Sequence, residues 1–494
     1  MKKTLTITLA TLTLAGLLGL LWFTTSRNSK PAKIDSTTVT DTTQTGTSTP
    51  TETKPETSTE TVRTPIVSLN SDEVSHIEVT VGSNTLSYTL GEENCSIKGY
   101  EDYALDQSGL NYRTNKLLNI EGIRTIKDAN LAEYGLDAPS KKATYHLKDG
   151  STITLSLGNL SLDHISVYAM LDSDSSTVYV IDSLVYNCMI GDIDTYRTKE
   201  LESYNSANIY DITIGGSQFE NIYLKLSAEQ NGYTNSYDLV TDDIKNALAN
   251  SYSVEQLKTA LPVLAVSEFV ADDVTDLSVY GLDQPILHLT MNYFDPTTAT
   301  SMASPADFDI VGQVDYIWGN TLENGNIAFM KVGDTSVYSM DSSFLTTFKE
   351  YATPFYLVSK YVAMPNIKNV TAIDVTFDDA TYHMTVDETN ESYTLNNKDM
   401  EKSLFKKLYR NVASVSAEIK LEEASTNTTT VATITYTLAD GTSKVATFVP
   451  STNDQYYQTY LEDVLLVGVT KTQLNNLKET LKAAAAGEEF NDVY

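Results

Sequence analysis

The residues of this chain best equipped to do chemistry are its histidines, its paired carboxylates, its cysteines and one repeated aromatic–glycine–acid motif. The five histidines, His76, His146, His164, His288 and His383, stand far apart in the chain. An imidazole can serve as acid, base or metal ligand near neutral pH, but none of these stands in an H-E-x-x-H spacing. His146 and His288 fall in predicted strands and read as strand-face residues. Asp172-Ser-Asp174 and Asp307-Phe-Asp309 each set two carboxylates close together. Calcium wants several such hard oxygens, yet neither pair has the glycine and distal glutamate of an EF-hand loop, so solvated surface charge is the plainer reading. Cys95 and Cys188 lack the spacing of a redox or zinc pair. Outside the cell they can form a disulfide; otherwise they are small buried apolar side chains. There is no nucleophile elbow, P-loop or dinucleotide fingerprint. The sequence therefore assigns no catalytic residue, no metal site and no cofactor, and predicts a protein that is not an enzyme.

The recurring motif is Leu131-Ala-Glu-Tyr134-Gly135-Leu136-Asp137-Ala-Pro139, which returns as Leu277-Ser-Val-Tyr280-Gly281-Leu282-Asp283-Gln-Pro285. Tyr134, Asp137, Tyr280 and Asp283 form the candidate recognition surface. Backbone geometry offers a competing account. The tyrosine packs, the glycine takes positive φ, the aspartate caps the turn and the proline opens a strand.

These motifs sit in a larger repeat. Tyr145, Leu147, Asp149, Gly150 and Ser151 have counterparts in Tyr436, Leu438, Asp440, Gly441 and Thr442. Asp-Gly between alternating runs signals a hairpin, so Ala143–Leu147 should pair with Thr152–Leu157, and Thr433–Leu438 with Lys444–Val449. Val178-Tyr179 and Asp182-Ser183 match Val337-Tyr338 and Asp341-Ser342; each Asp-Ser can cap a helix running toward Tyr196 or Tyr351. Gly158-Asn159 and Gly319-Asn320 also correspond. Three alternating strand starts open at Val74, Ile209 and Val370. In the last unit Met400, Leu404, Phe405, Leu408 and Val412 follow as one apolar helix face. The expected fold class is α+β, with three tandem diverged repeats at residues 67–201, 202–360 and 361–494, each an antiparallel sheet with packed helices. The third lacks the Tyr-Gly-Leu-Asp motif, so the motif cannot be required for folding a copy. The second carries an insertion near Asp295–Pro305 that replaces the hairpin turn.

Ahead of the repeats, Lys2 and Lys3 precede an uncharged, Leu-rich stretch from Thr4 to Ser26. That length spans a hydrocarbon core of about 30 Å, and residues 1–26 read as an uncleaved membrane anchor, with a cleaved signal as the rival. Residues 27–66, rich in Thr and Pro, read as an extended stalk. Such a stalk belongs on the outer face of an anchor, which predicts a single-pass protein at the cell membrane with its bulk extracytoplasmic. The net charge of −31 argues against nucleic acid, which needs basic patches. Tyr, at 31 residues against 13 Phe, suits half-exposed strand faces.

The series L-x-x-Y-G-L-D-x-P, Y-x-L-x-D-G-[ST], L-G-N and V-Y-x-x-D-S resembles a bacterial family of domains of unknown function (number four-three-four-zero). The resemblance covers roughly residues 70 to 360 and, more faintly, the third unit. It implies an N-terminal anchor with an outward globular region, and an association with ABC-type transport systems related to those named for gliding motility. No catalytic residue is described for the family, so none is carried onto this chain. The expected function is an accessory or interaction protein whose partner is an ABC-type permease or an envelope protein. The alternatives are a module for cell-wall glycan or peptide, and a hydrolase with an unrecognised site.

Overall fold

Apolar side chains alternate along each opening strand, so every strand has one face to bury. In the first sheet Val74, Ile77 and Val79 point inward while His76 and Glu78 point outward. This holds in a computed structural model that describes residues 63–92, 94–227, 236–297 and 308–491. The anchor assigned to residues 1–26 and the stalk up to residue 62 lie outside the described residues. Among the described residues no helix is long and apolar enough to cross a membrane.

The first sheet is built from β1 (Thr64–Ser68), β2 (Val74–Val81), β3 (Asn84–Leu90), β4 (Cys95–Ile97), β5 (Asn119–Lys127), β6 (Lys141–Leu147), β7 (Thr152–Leu160), β8 (Ser166–Leu171) and β9 (Asp174–Asp182). Its spatial order is β1-β5-β9-β8-β7-β6-β2-β3-β4, antiparallel throughout. Helix α1 (Gln107–Leu118) crosses one face and buries Leu110 and Leu117 against Ile77, Val79, Tyr145 and Leu157. Helix α2 (Ser183–Cys188) closes the unit, and Asp182 caps its Leu184 N–H at 2.8 Å.

The second sheet runs in space Ala247–Leu248, Tyr237–Thr241, Ile222–Leu226, Ile209–Gly215, Leu287–Phe294, Ile310–Thr321, Ile327–Lys331, Val337–Met340, Glu268–Ala271. The third runs Lys398–Asp399, Ser392–Leu395, Ala380–Asp387, Val370–Phe377, Ala432–Leu438, Ser443–Pro450, Tyr456–Leu461, Leu465–Thr470, Ile419–Lys420. The topology recurs, with differences in the first sheet. A meander forms one wing, a helix crosses over to the far side, and a second meander fills the space between. In the second and third sheets the strand reached by the helix is a short edge strand; in the first it is β5, nine residues long and covered by β1, and the opening meander has three strands where the others have four. The crossing helices are α1, then α3 (Ser251–Thr259) and, after α4 (Phe344–Tyr351) and α5 (Pro354–Leu357) close the second unit, α6 (Lys402–Ala413). Helix α7 (Lys471–Ala486) ends the third, with Gly487 left-handed at φ 78° as its C-cap.

The linkers repeat as well. After the first sheet, Arg197 bridges to Leu105 ahead of α1, and Glu200 bridges to Ala265 behind α3. After the second, Val358 bridges to Ala249 ahead of α3, and Tyr361 bridges to Ser416 behind α6. Each linker thus pairs with both units it joins.

Several expectations need correction. The stalk does not extend to residue 66: Ile66 and Val67 favour a strand, and Thr64–Ser68 pairs with β5 as an edge strand, a position that tolerates Pro65. The first meander has a third strand, too short to alternate visibly. The helix expected from Ser183 toward Tyr196 stops at Cys188, because Lys141 Nζ takes up the carbonyls of Tyr186 and Met189 at 2.8 Å, and Asp192 starts a separate turn. Leu404 stands off the buried face of α6. Both predicted Asp-Gly hairpins are present in register, and the third sheet forms without the Tyr-Gly-Leu-Asp motif. Of the insertion, residues 298–307 lie outside the described residues.

Candidate functional site

The Tyr-Gly-Leu-Asp motif is a packing device in both copies. Leu131–Tyr134 and Leu277–Tyr280 are single 3-10 turns, ended by Gly135 at φ 67° and Gly281 at φ 68°. Each turn lies on a bulged strand at Gly158-Asn159 or Gly319-Asn320. A Cβ on Gly158 would stand 2.1 Å from the carbonyl oxygen of Tyr134, and one on Gly319 would stand 2.1 Å from that of Tyr280. In each copy the motif glycine and the strand glycine are therefore two halves of one contact, sealed by Leu136 or Leu282, each 2 % exposed. The turns are capped by Asn130 and Asp276; Asp137 and Asp283, expected as the caps, are exposed. Tyr134 and Tyr280 are half-buried, Tyr134 edge-on to Tyr168 at 4.7 Å. None of these four candidates lines the cleft at the seam between the first and second sheets.

That cleft has a volume of about 590 Å³. Its centre is Arg197, whose side chain is 6 % exposed. The guanidinium grips Asp272 in a two-pronged pair, Nη1 and Nη2 each donating at 2.9 Å, and Nη1 also donates to Asp194 at 3.2 Å. Tyr103 and Phe269 sandwich it, with ring centroids 4.4 and 3.9 Å away. Ser336 Oγ donates to Asp272 at 2.8 Å. Burial alone would raise the Asp272 carboxyl, but the hydrogen bonds from Arg197 and Ser336 and the Arg197 charge outweigh it and hold the group below the usual carboxylate range. Tyr103 is pushed up by burial and by its hydrogen bond to Asp272. Across the cleft Lys331 pairs with Glu202, whose other oxygen is buried with no hydrogen-bond partner among the described residues. Both cations are thus committed to carboxylates, while Asp102 and Asp273 stand exposed at the rim.

The sequence gives one hint of this cleft: the second linker places buried Val358 where the first has Arg197. A charge where a repeat partner is apolar marks a departure from the packing rule.

The other candidates fall out as follows. Cys95 and Cys188 are both free and buried. The Asp174 carboxylate accepts from the Ser176 N–H and hydroxyl, which places it in its own turn; Asp307 lies outside the described residues. His288 contacts Asp315 at 2.8 Å and His383 contacts Asp374 at 2.7 Å, each across neighbouring strands. His146, however, meets His76 directly.

Fold and seam together define a tandem α+β repeat protein with a polar cleft between its first two units. The chain belongs to the family described as Domain of unknown function (DUF4340), whose model matches residues 96–247 and again 240–457. Each match begins in one sheet and ends in the next. No curated protein and no solved structure matches the chain.

Proposed function

We propose that this chain is a membrane-anchored extracytoplasmic accessory protein that works by binding, and that the seam cleft engages an ABC-type permease or another envelope component. The observation that carries the reading is the charge arrangement of the cleft. With Arg197 and Lys331 both paired, the carboxylates lining the cleft without a cationic partner are Asp102, Asp273 and Asp334, the last bonded to its own turn and to Tyr338. Such a surface favours cationic or neutral polar groups and repels anions. The apolar segment from Thr4 to Ser26 and the stalk supply the location.

The test uses the full-length chain as bait in crosslinked membranes, beside an Asp102→Asn/Asp273→Asn variant. Recovery of a permease or envelope protein by the parent chain, and at least tenfold less by the variant, is expected. Recovery of no membrane or envelope partner would sink the proposal.

One observation favours a second reading, a module for wall glycan or peptide. Tyr100 and Tyr103 lie with ring centroids 5.4 Å apart beside Phe269 and the rim carboxylates, the mix of ring faces and acceptors that sugars use. Retention by purified wall, lost on Tyr100→Ala, supports it; failure on both wall and glycan arrays removes it.

A further inference from the structure

The outward face of the first sheet carries a group of donors that has no counterpart among the described residues of the other two sheets. β2 and β6 pair so that His76 stands directly opposite His146, with Glu78 two residues further along the same face. The imidazoles stack with centroids 4.1 Å apart and planes 7° apart. His76 Nε2 lies 3.8 Å from one Glu78 oxygen and His146 Nε2 lies 3.4 Å from the other. All three donor atoms fall within 4.8 Å of one another. Two ligands bonded to one tetrahedral zinc at about 2.0–2.1 Å stand about 3.4 Å apart, so both separations from Glu78 are close to those of ligands sharing an ion.

Two details sharpen this. His146 Nε2 is buried, yet no hydrogen bond reaches it among the described residues, Glu78 lying at ion-pair distance, 3.4 Å away. Ser75 Oγ stands 3.4 Å from His76 Nδ1 on the other side of that ring, the outer contact that leaves Nε2 turned to the carboxylate. The fold does not demand the arrangement. The same register places Asp211 and Asn292 at the pair position in the second sheet, and Ala372 and Thr437 in the third. There Asn292 Nδ2 simply donates to Asp211 at 2.9 Å.

We propose that His76, Glu78 and His146 bind one divalent transition-metal ion of the zinc class through two imidazole nitrogens and one carboxylate. Two nitrogens among three donors suit zinc rather than calcium, which prefers an all-oxygen set. The parallel rings send both Nε2 atoms the same way, so an ion is captured by a small opening of the stack, which two side chains about one-third exposed permit. The ion would clamp the neighbouring strands β2 and β6 and leave its fourth position to water or to a donor from a partner.

The test is calorimetric titration of Zn²⁺ into the full-length chain, purified without a histidine tag and freed of metal by chelator. One equivalent should bind, with His76→Gln, His146→Gln and Glu78→Gln each weakening binding at least tenfold and His288→Gln leaving it unchanged. Should a variant fail to fold, Co²⁺ on the parent chain decides: a four-coordinate site gives an intense visible band, displaced by Zn²⁺. Absence of binding, binding that survives in the folded His76→Gln/His146→Gln double variant, or a six-coordinate cobalt spectrum would overturn the assignment.

Discussion

Tyr145 and Tyr436 occupy the same place in the Tyr-x-Leu-x-Asp-Gly hairpins of the first and third sheets, and each is fully buried. Their hydroxyls differ. That of Tyr145 donates to the carbonyl of Leu117, at the end of α1, at 2.7 Å; that of Tyr436 is buried with no hydrogen-bond partner among the described residues. An unmade buried hydrogen bond costs its desolvation, whereas a made one contributes about 1 kcal/mol. Tyr145→Phe should therefore destabilise by about 1–2 kcal/mol, because it also strands the Leu117 carbonyl. Tyr436→Phe should be neutral or stabilising by up to about 1 kcal/mol. Denaturant melts of the two variants check the opposite signs. Lys360 offers a second case. Its Nζ is buried with no hydrogen-bond partner among the described residues, 3.8 Å from the Phe355 ring centroid, and burial pushes its pKa from 10.5 down to about 8. Between these two pH values the unfolded chain holds a proton that the folded chain has released, so stability rises with pH across that window. Below about pH 8 the full cost of the buried charge is present. Lys360→Met should raise stability at neutral pH by about 1 kcal/mol, the partial exposure of the side chain screening the rest, and should abolish the rise between pH 8 and 10.5. Melts of parent and variant across that range test both parts.

At the scale of elements, the turn-and-bulge contact decides how the central meander is entered. With a Cβ on Gly158 or Gly319 placed 2.1 Å from a backbone carbonyl, no side-chain motion relieves the clash. Gly158→Ala or Gly319→Ala should each cost about 2–3 kcal/mol, while Gly150→Ala, at φ 87° with open space around it, should cost only about 1 kcal/mol of backbone strain. Equal losses in thermal melts would refute this distinction. The elements also show what a single sequence discloses. The Asp-Gly hairpins, the alternating opening strands and the Asp182 helix cap are local patterns, each fixed by a few adjacent residues, and they are legible; Asp341, expected to do the same, instead accepts from the Ser343 N–H ahead of α4, which starts without a side-chain cap. β4 and the edge strands such as Ile419–Lys420 hold two or three residues; they exist because a partner strand supplies hydrogen bonds, and no local pattern announces them. The His76–His146 pair was hidden for the same reason. The strands were foreseen, but only the register between β2 and β6 sets the two rings face to face. The cleft is harder still, since Arg197 and Asp272 meet across two units, and the repeated motif points elsewhere, its Gly135 and Leu136 packing on the strand at Gly158.

At the scale of the whole molecule, the two linkers make the same backbone bonds and different side-chain contacts. Val266 N–H donates to Lys199 and Ala417 N–H to Lys360, while Thr198 N–H donates to Ala104 and Ser359 N–H to Leu248. On this shared frame the second seam is apolar: the core of the second sheet runs without a break through Val358 to Ala417, Leu461 and Val467 of the third. The first seam puts Arg197 at the Val358 position and closes through its pair with Asp272. A continuous apolar core couples the two units it joins through the area it buries, whereas an ion pair whose Asp272 side chain is 30 % exposed couples them weakly. The second and third sheets should therefore melt together and the first separately. Breaking a fully buried ion pair costs about 3–5 kcal/mol; because the Asp272 side chain is 30 % exposed, Arg197→Met should cost about 2 kcal/mol. Differential scanning calorimetry of Arg197→Met should show the transition of the first sheet shifted down by several degrees and the joint transition of the other two unmoved. Asp272→Leu added to that variant should recover part of the loss, since it removes the stranded carboxylate. A single transition that shifts as a whole would instead mean that the first seam is as strongly coupled as the second, and that the cleft is a rigid socket rather than a joint between separable parts.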